Sequence, residues 1–182
     1  MNVIVISFKV SEIFSEIQVL TFDKTTDKRG SFLKILNKDL KKKFNFSVDE
    51  VFLSTSVKDV VRGMHLQNNN FPLEKIVYCN SGSILDVVID LRPESPTYGK
   101  WATFLLEGST SDALFIPKGF GHGFKAVSEL AEILYLQSGY YNKDSELGIN
   151  PLTFGYNWEI KNPIVSDRDL NLPNLSEFNL NE

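Results

Sequence analysis

Apolar residues along this chain fall in short runs rather than at a sustained helical spacing. Val3 to Val10 and Ile17 to Phe22 are rich in β-branched and aromatic residues and read as strands. The polar stretch Asp23 to Gly30 reads as a loop, followed by a short strand from Ser31 to Leu36. Lys38 to Phe44 is the best helix candidate, and its Lys41-Lys42-Lys43 run fits a solvated face better than a phosphate trap. From Asp49 the pattern is almost entirely β: Val51–Val57, Val60–Gln67, Leu73–Cys79, Ile84–Leu91, Trp101–Leu106, Ala113–Ile116, Gly123–Val127 and Ala131–Gln137. Asn80-Ser81-Gly82-Ser83 carries turn chemistry and predicts a hairpin. In its second arm Leu85, Val87 and Ile89 share one face, and Asp86 and Asp90 the other. Strands spaced by roughly 8–12 residues with turns between them predict an all-β sandwich or barrel. From Asn150 the chain is rich in Pro and Asn and is expected to wrap over the β body, with Glu177 to Glu182 frayed.

Composition narrows the function class. The 182 residues, 42% of them hydrophobic, suffice for one domain (1–182) with a sizeable core. A net charge of −4 argues against a general nucleic-acid surface. No apolar run approaches the ~20 residues a membrane span needs, and the N-terminus lacks the basic region of a signal peptide. Cys79 is the single cysteine; it reads as a core residue and suits a reducing, cytoplasmic setting.

Candidate chemistry centres on Arg62-Gly63-Met64-His65-Leu66-Gln67, with Lys75 ten residues after the histidine. Taken alone, a His between Met and Leu fits a half-buried strand residue better than a base. A β-barrel metal site needs two or three imidazoles and a carboxylate, and only His65 and His122 exist, so no catalytic metal is expected. No phosphate-cradling or dinucleotide fingerprint is present, and Cys79 has no acid–base motif beside it. Ile116 to Phe124 reads as a loop whose glycines, at 119, 121 and 123, serve either a tight turn or a ligand's close approach. Strand alternation puts Tyr135 on the face opposite Leu134 and Leu136, where a core role is the ordinary one. After Trp158, Asp167 and Arg168 read as solvated surface, whereas Asp169 could point inward.

In order and spacing these segments resemble the dTDP-4-dehydrorhamnose 3,5-epimerase family, the RmlC family of nucleotide-sugar epimerases. The likeness runs through Asp27-Lys28-Arg29-Gly30-Ser31-Phe32, Val61 to Gln67, Lys75 before Asn80-Ser81-Gly82, and Asp86 to Arg92. It continues through Ser95 to Trp101, Ile116 to Phe124, Tyr135, Tyr141 and Pro163 to Asp169, covering roughly residues 17–172. The resemblance implies a cupin-like jelly-roll β-barrel with a few short helices, a homodimer, no cofactor, and a nucleotide-diphospho-4-keto-6-deoxysugar substrate. It implies His65 as base, Asp169 as its carboxylate partner, Tyr135 as acid and Lys75 near the sugar ketone. Arg29 and Arg62 match phosphate-binding arginines, and His122 and Tyr141 a second site histidine and tyrosine. Phe32, Ser54, Ser56 and Gln67 complete the implied substrate-binding set.

These residue types suit proton transfer. Hydrogens at C3 and C5 are α to the C4 ketone, so their removal gives an enolate that His can form near neutral pH. A carboxylate on the far nitrogen fixes the tautomer, a lysine stabilises the oxyanion, and inversion needs a donor on the opposite face. Four positions depart from the family pattern: Lys34, Glu50, Phe52 and Leu66. They fall on the nucleotide side and predict a nucleotide other than dTDP. The alternatives are a sugar-nucleotide 3,4-ketoisomerase and a non-catalytic sugar-nucleotide binding module; the latter has no need of an opposed acid and base.

Overall fold

In the computed structural model, which describes residues 5–180, thirteen strands, two short α-helices and a 3-10 turn at Lys143–Ser145 follow one another along the chain. The strands are β1 (Val5–Val10), β2 (Gln18–Phe22), β3 (Lys24–Asp27), β4 (Gly30–Leu33), β5 (Glu50–Val57), β6 (Val61–Gln67) and β7 (Glu74–Ser81). They continue with β8 (Ser83–Asp90), β9 (Trp101–Glu107), β10 (Asp112–Ile116), β11 (Phe120–Ala126), β12 (Leu130–Ser138) and β13 (Glu146–Gly148). Helix α1 spans Lys38–Phe44 and α2 Asp167–Leu170. Val3 and Ile4, the start of the first expected strand, lie outside the described residues.

One sheet has the order β1-β2-β10-β7-β12-β5 and the other β13-β6-β11-β8-β9. They pack face to face as a jelly roll. No ladder joins the two sheets among the described residues, so the expected barrel is an open one. Between them lies a core that includes Val77, Cys79, Ile84, Val88, Leu114, Phe124 and Ile133. Each sheet is also covered on its outer face. The Leu85–Val87–Ile89 face of β8 turns outward, and Val87 and Ile89 join Phe154, Trp158 and Leu180 of the C-terminal tail. Asp86 and Asp90, on the other face, point between the sheets and are fully buried. Outside the six-stranded sheet, α1 presses Leu40 onto Ile76, Tyr78 and Phe115. The Asn37 side chain caps α1 by accepting from the Asp39 and Leu40 amides.

Four expectations change. The stretch read as a loop from Asp23 to Gly30 forms the hairpin β3–β4 with Lys28 and Arg29 at its turn, and the chain leaves the strand at Leu33 rather than Leu36. The chain turns at Gly82 alone, between Ser81 and Ser83, but β7 and β8 belong to different sheets, so the turn carries the chain across the core instead of closing a hairpin. The segment read as a loop up to Phe124 is strand from Phe120, leaving only Pro117-Lys118-Gly119 as the turn. The end of the chain is not frayed as far as Leu180: that side chain is 3% exposed in the outer core, and Phe178 packs there with it.

Candidate active site

Arg62 and His65 are three residues apart, which in regular strand places them on opposite faces. A bulge cancels the mismatch. Across the β6–β11 ladder His122 pairs with His65 and Phe124 with Arg62, so Gly63 and Met64 together face Gly123. Gly63 has φ +130, and a Cβ there would meet Gly123 Cα at 2.5 Å. A Cβ on Gly123 would in turn meet the Arg62 carbonyl oxygen at 2.5 Å, so the two backbones touch where both residues lack a side chain. Arg62, His65 and Gln67 thus face the inside from one sheet. From the other sheet β12 contributes Tyr135 and Gln137, β7 Lys75, and β5 Phe52 and Ser54. These residues line a cavity of about 340 Å³ together with His122, Tyr141, Glu146, Arg168 and Asp169.

Asp169 comes from the tail. Val61 N donates to Ile164 O and Ile164 N to Asp59 O, which ties the tail to the start of β6. The Asn150 side chain donates to Leu170 O, holding α2 beneath the strand. Asp169 Oδ1 then sits 2.8 Å from His65 Nε2, and Oδ2 accepts from the Gly63 amide at 3.2 Å. Burial opposes the Asp169 charge, but the His65 and Gly63 hydrogen bonds and the Arg168 charge outweigh it and hold the carboxyl below its ordinary range. A second pair lies deeper: His122 Nε2 is 2.8 Å from Asp86 Oδ2. Burial pushes the Asp86 carboxyl up, against the pull of His122 and Lys75.

Lys75 is half-buried, and desolvation of its ammonium brings its pKa down to about 8 while Glu146 and Asp86 pull it back up. Burial raises the Tyr135 phenol, so that hydroxyl keeps its proton at neutral pH. Ser54 Oγ approaches it only to 3.5 Å, a long contact for two hydroxyls. Arg62 Nε donates to Ser56 Oγ at 3.0 Å; Ser56 is buried behind the arginine and reaches the cavity only through it.

Two expected binding residues stay apart. Arg29 pairs with Asp27 on the β3–β4 hairpin with its side chain 83% exposed, and Phe32 beside it is 58% exposed; neither lines the cavity. Conversely Arg168, read as solvated surface, lines the cavity and pairs with Glu146, whose other oxygen accepts from the Tyr141 hydroxyl at 2.7 Å. Glu146 and Gln137 carry no motif in the sequence that marks them, and Arg168, a charged residue in the tail, offers no periodicity that could reveal it. The four departures separate too. Lys34 is exposed and off the cavity, and Leu66 is buried in the outer core. The Glu50 carboxylate accepts from the Gln137 side chain and the Tyr141 amide. Of the four, Phe52 alone lines the cavity of this chain.

Residues 12–177 match the family model described as dTDP-4-dehydrorhamnose 3,5-epimerase. The dTDP-4-dehydrorhamnose 3,5-epimerase of Shigella flexneri is 36% identical over 152 residues, 80% of this chain and 83% of that protein. Among solved structures, NovW, a 4-keto-6-deoxy sugar epimerase from the novobiocin gene cluster of Streptomyces spheroides, superposes with a TM-score of 0.89 at 32% identity. That match covers 97% of this chain and 89% of NovW. The RmlC of Legionella pneumophila, a dTDP-6-deoxy-D-glucose-3,5-epimerase in complex with dTDP-4-keto-L-rhamnose, gives 0.89 at 27% identity, covering 95% and 94%. With an opposed imidazole and phenol in one cavity, and a match of this extent, the chain belongs to the dTDP-4-dehydrorhamnose 3,5-epimerase family of carbohydrate isomerases.

Proposed function

We propose that this chain, as a single catalytic domain, inverts C3, C5 or both of a dTDP-4-keto-6-deoxysugar through an enolate, in the cytoplasm and without a cofactor. The observation that carries the reading is the placement of His65 on one sheet and Tyr135 on the facing sheet, with one cavity between them. A sugar lying there has a base on one side and an acid on the other. His65 Nε2 is held by Asp169, so Nδ1 is the free nitrogen of that ring and takes the proton; the imidazolium that forms is stabilised by the carboxylate. Lys75 places positive charge near the C4 oxyanion. The electron pair of the enolate C=C then takes the Tyr135 proton from the opposite face. The phenolate left behind is reprotonated from water, and His65 returns its proton to solvent.

Arg62 is the candidate diphosphate ligand. Gln67, His122 and Tyr141 complete the binding surface. Arg29 and Phe32 serve it only when a second copy of the chain brings its hairpin to this cavity. We therefore read the protein as a homodimer. β1 and β5 are the two edges of the large sheet, and Val51, Leu53 and Val57 on β5 are each more than half exposed. No described helix is long and apolar enough to cross a membrane.

Incubation with dTDP-4-keto-6-deoxyglucose in D2O, followed by NMR, tests the reaction: deuterium and inverted configuration should appear at C3, C5 or both. Ketone migration to C3 would replace this reading by the ketoisomerase, and absence of exchange with retained binding by the binding module. Calorimetry against dTDP, UDP, GDP and CDP should rank dTDP tightest. Light scattering at micromolar concentration should give a dimer.

A further inference from the structure

β5 and β12 place Phe52 directly opposite Tyr135. The two rings stack with centroids 4.7 Å apart and planes 15° from parallel. On another side the His122 ring meets Tyr135 edge-on at 6.2 Å. The polar end of Tyr135 is held far less firmly. Ser54 Oγ lies 3.5 Å from its hydroxyl, beyond the usual range of an O–H···O bond. The orientation of the phenol is therefore set by what touches its ring, and Phe52 covers a face of that ring.

We propose that Phe52 is a positioning residue for the proton-return step: its stacked ring fixes the plane of Tyr135 so that the hydroxyl stays aimed across the cavity. Phe52 lines the cavity while remaining 42% exposed, so its ring shields Tyr135 without being part of the closed core. Proton return to carbon depends on the donor's distance and angle, and small displacements of a reacting group cost large factors in rate. Proton removal does not depend on this stack, because His65 sits on the opposite sheet with its own carboxylate. Phe52 thus acts on one half of the reaction.

The inference rests on the reading of Tyr135 as the acid, and one experiment separates the two. Wild type, Phe52→Leu, Phe52→Tyr and Tyr135→Phe are each turned over in D2O, and NMR gives the ratio of inverted product to exchanged hydrogen. Phe52→Leu should retain exchange within about twofold and lower the ratio about tenfold, the scale expected for a displaced reacting group. Phe52→Tyr, which restores an aromatic face, should recover the wild-type ratio. Thermal unfolding of each variant checks folding, and the ratio is internal to each sample, so loss of active protein does not alter it. A wild-type ratio in Phe52→Leu, with the ratio collapsed in Tyr135→Phe, overturns the inference alone. Equal loss of exchange and inversion in Phe52→Leu with raised KM also overturns it, making Phe52 a substrate wall. A wild-type ratio in Tyr135→Phe removes the acid assignment and the inference with it.

Discussion

His65 and His122 face each other across the β6–β11 ladder, each holding a carboxylate at 2.8 Å, yet the two pairs live in different surroundings. The His65 ring is 26% exposed to the cavity, and both oxygens of Asp169 have partners. The His122 side chain is 6% exposed, Asp86 is fully buried, and Asp86 Oδ1 has no hydrogen-bond partner among the described residues. Hydrogen bonds and the Arg168 charge hold Asp169 low, whereas burial drives Asp86 up. The same two side chains therefore make two devices. The outer pair couples a stable carboxylate to an imidazole that a ligand can touch. The inner pair is a buried strut that also places charge close to Lys75.

The largest expected effect separates the pairs by activity. His65→Asn should lower solvent exchange into the sugar by about 10³-fold, within the range that general acid–base catalysis supplies, with dTDP binding unchanged by calorimetry. Asp169→Asn should fall in the same direction through loss of tautomer control. His122→Asn should keep exchange within about tenfold of wild type, the loss reflecting packing rather than a missing base. Exchange that survives His65→Asn, or dies equally with His122→Asn, would dissolve the distinction.

Stability should separate them in the reverse sense. His122→Leu strips the buried Asp86 carboxylate of its imidazole, and removing one member of a buried pair costs about 3 kcal/mol. Asp169→Asn keeps a hydrogen-bonding side chain at a site next to the cavity and should cost about 1 kcal/mol. Urea unfolding at neutral pH reads both. Adding Asp86→Leu to His122→Leu should recover most of the loss, since no bare charge then remains in the core. If the single His122→Leu variant unfolds no more easily than Asp169→Asn, Asp86 is not charged in the folded protein.

The two pairs also differ in how visible they are in the sequence. His65 is marked by its neighbours, and Tyr135 by the alternation that sets Leu134 and Leu136 on the other face. The helix Lys38–Phe44, the strands after Asp49 and the wrapped tail follow from the same local patterns. The bulge at Gly63 is not visible in the pattern, because it depends on Gly123 sixty residues later. Turn chemistry at Asn80 to Ser83 is the same whether the chain returns to its own sheet or crosses to the other, so β7 and β8 could not be assigned to separate sheets. Strand β3, Lys-Thr-Thr-Asp, is polar and exposed throughout and gives no buried stripe to detect, whereas the strand after it shows in Phe32 and Leu33. The partnership of Asp86 with His122 spans thirty-six residues and two strands, and only the sheet register brings it about. Leu180 was the opposite case: Phe178 and Leu180 were apolar signals that position at the chain end obscured.

The smallest effect is the most specific to the inner pair. With its pKa near 8, Lys75 should lose its proton within the accessible range, so kcat/KM should fall above about pH 8, approaching tenfold per pH unit. Glu146 and Asp86 are the charges that hold this value up against desolvation. Replacing Asp86 by Asn removes one negative neighbour, which disfavours the ammonium and lowers the Lys75 pKa. The alkaline limb should therefore move to lower pH, by about half a unit, a modest fraction of what a close charge can do. Glu146→Gln should move it in the same direction and at least as far, being the larger of the two influences. Asp169→Asn should lower the whole profile and leave the limb in place, because Asp169 does not act on Lys75. A pH series of kcat/KM for the three variants thus tests whether the buried carboxylate carries charge at neutral pH. A limb that stays put in Asp86→Asn and moves in Glu146→Gln would mean that Asp86 is neutral there.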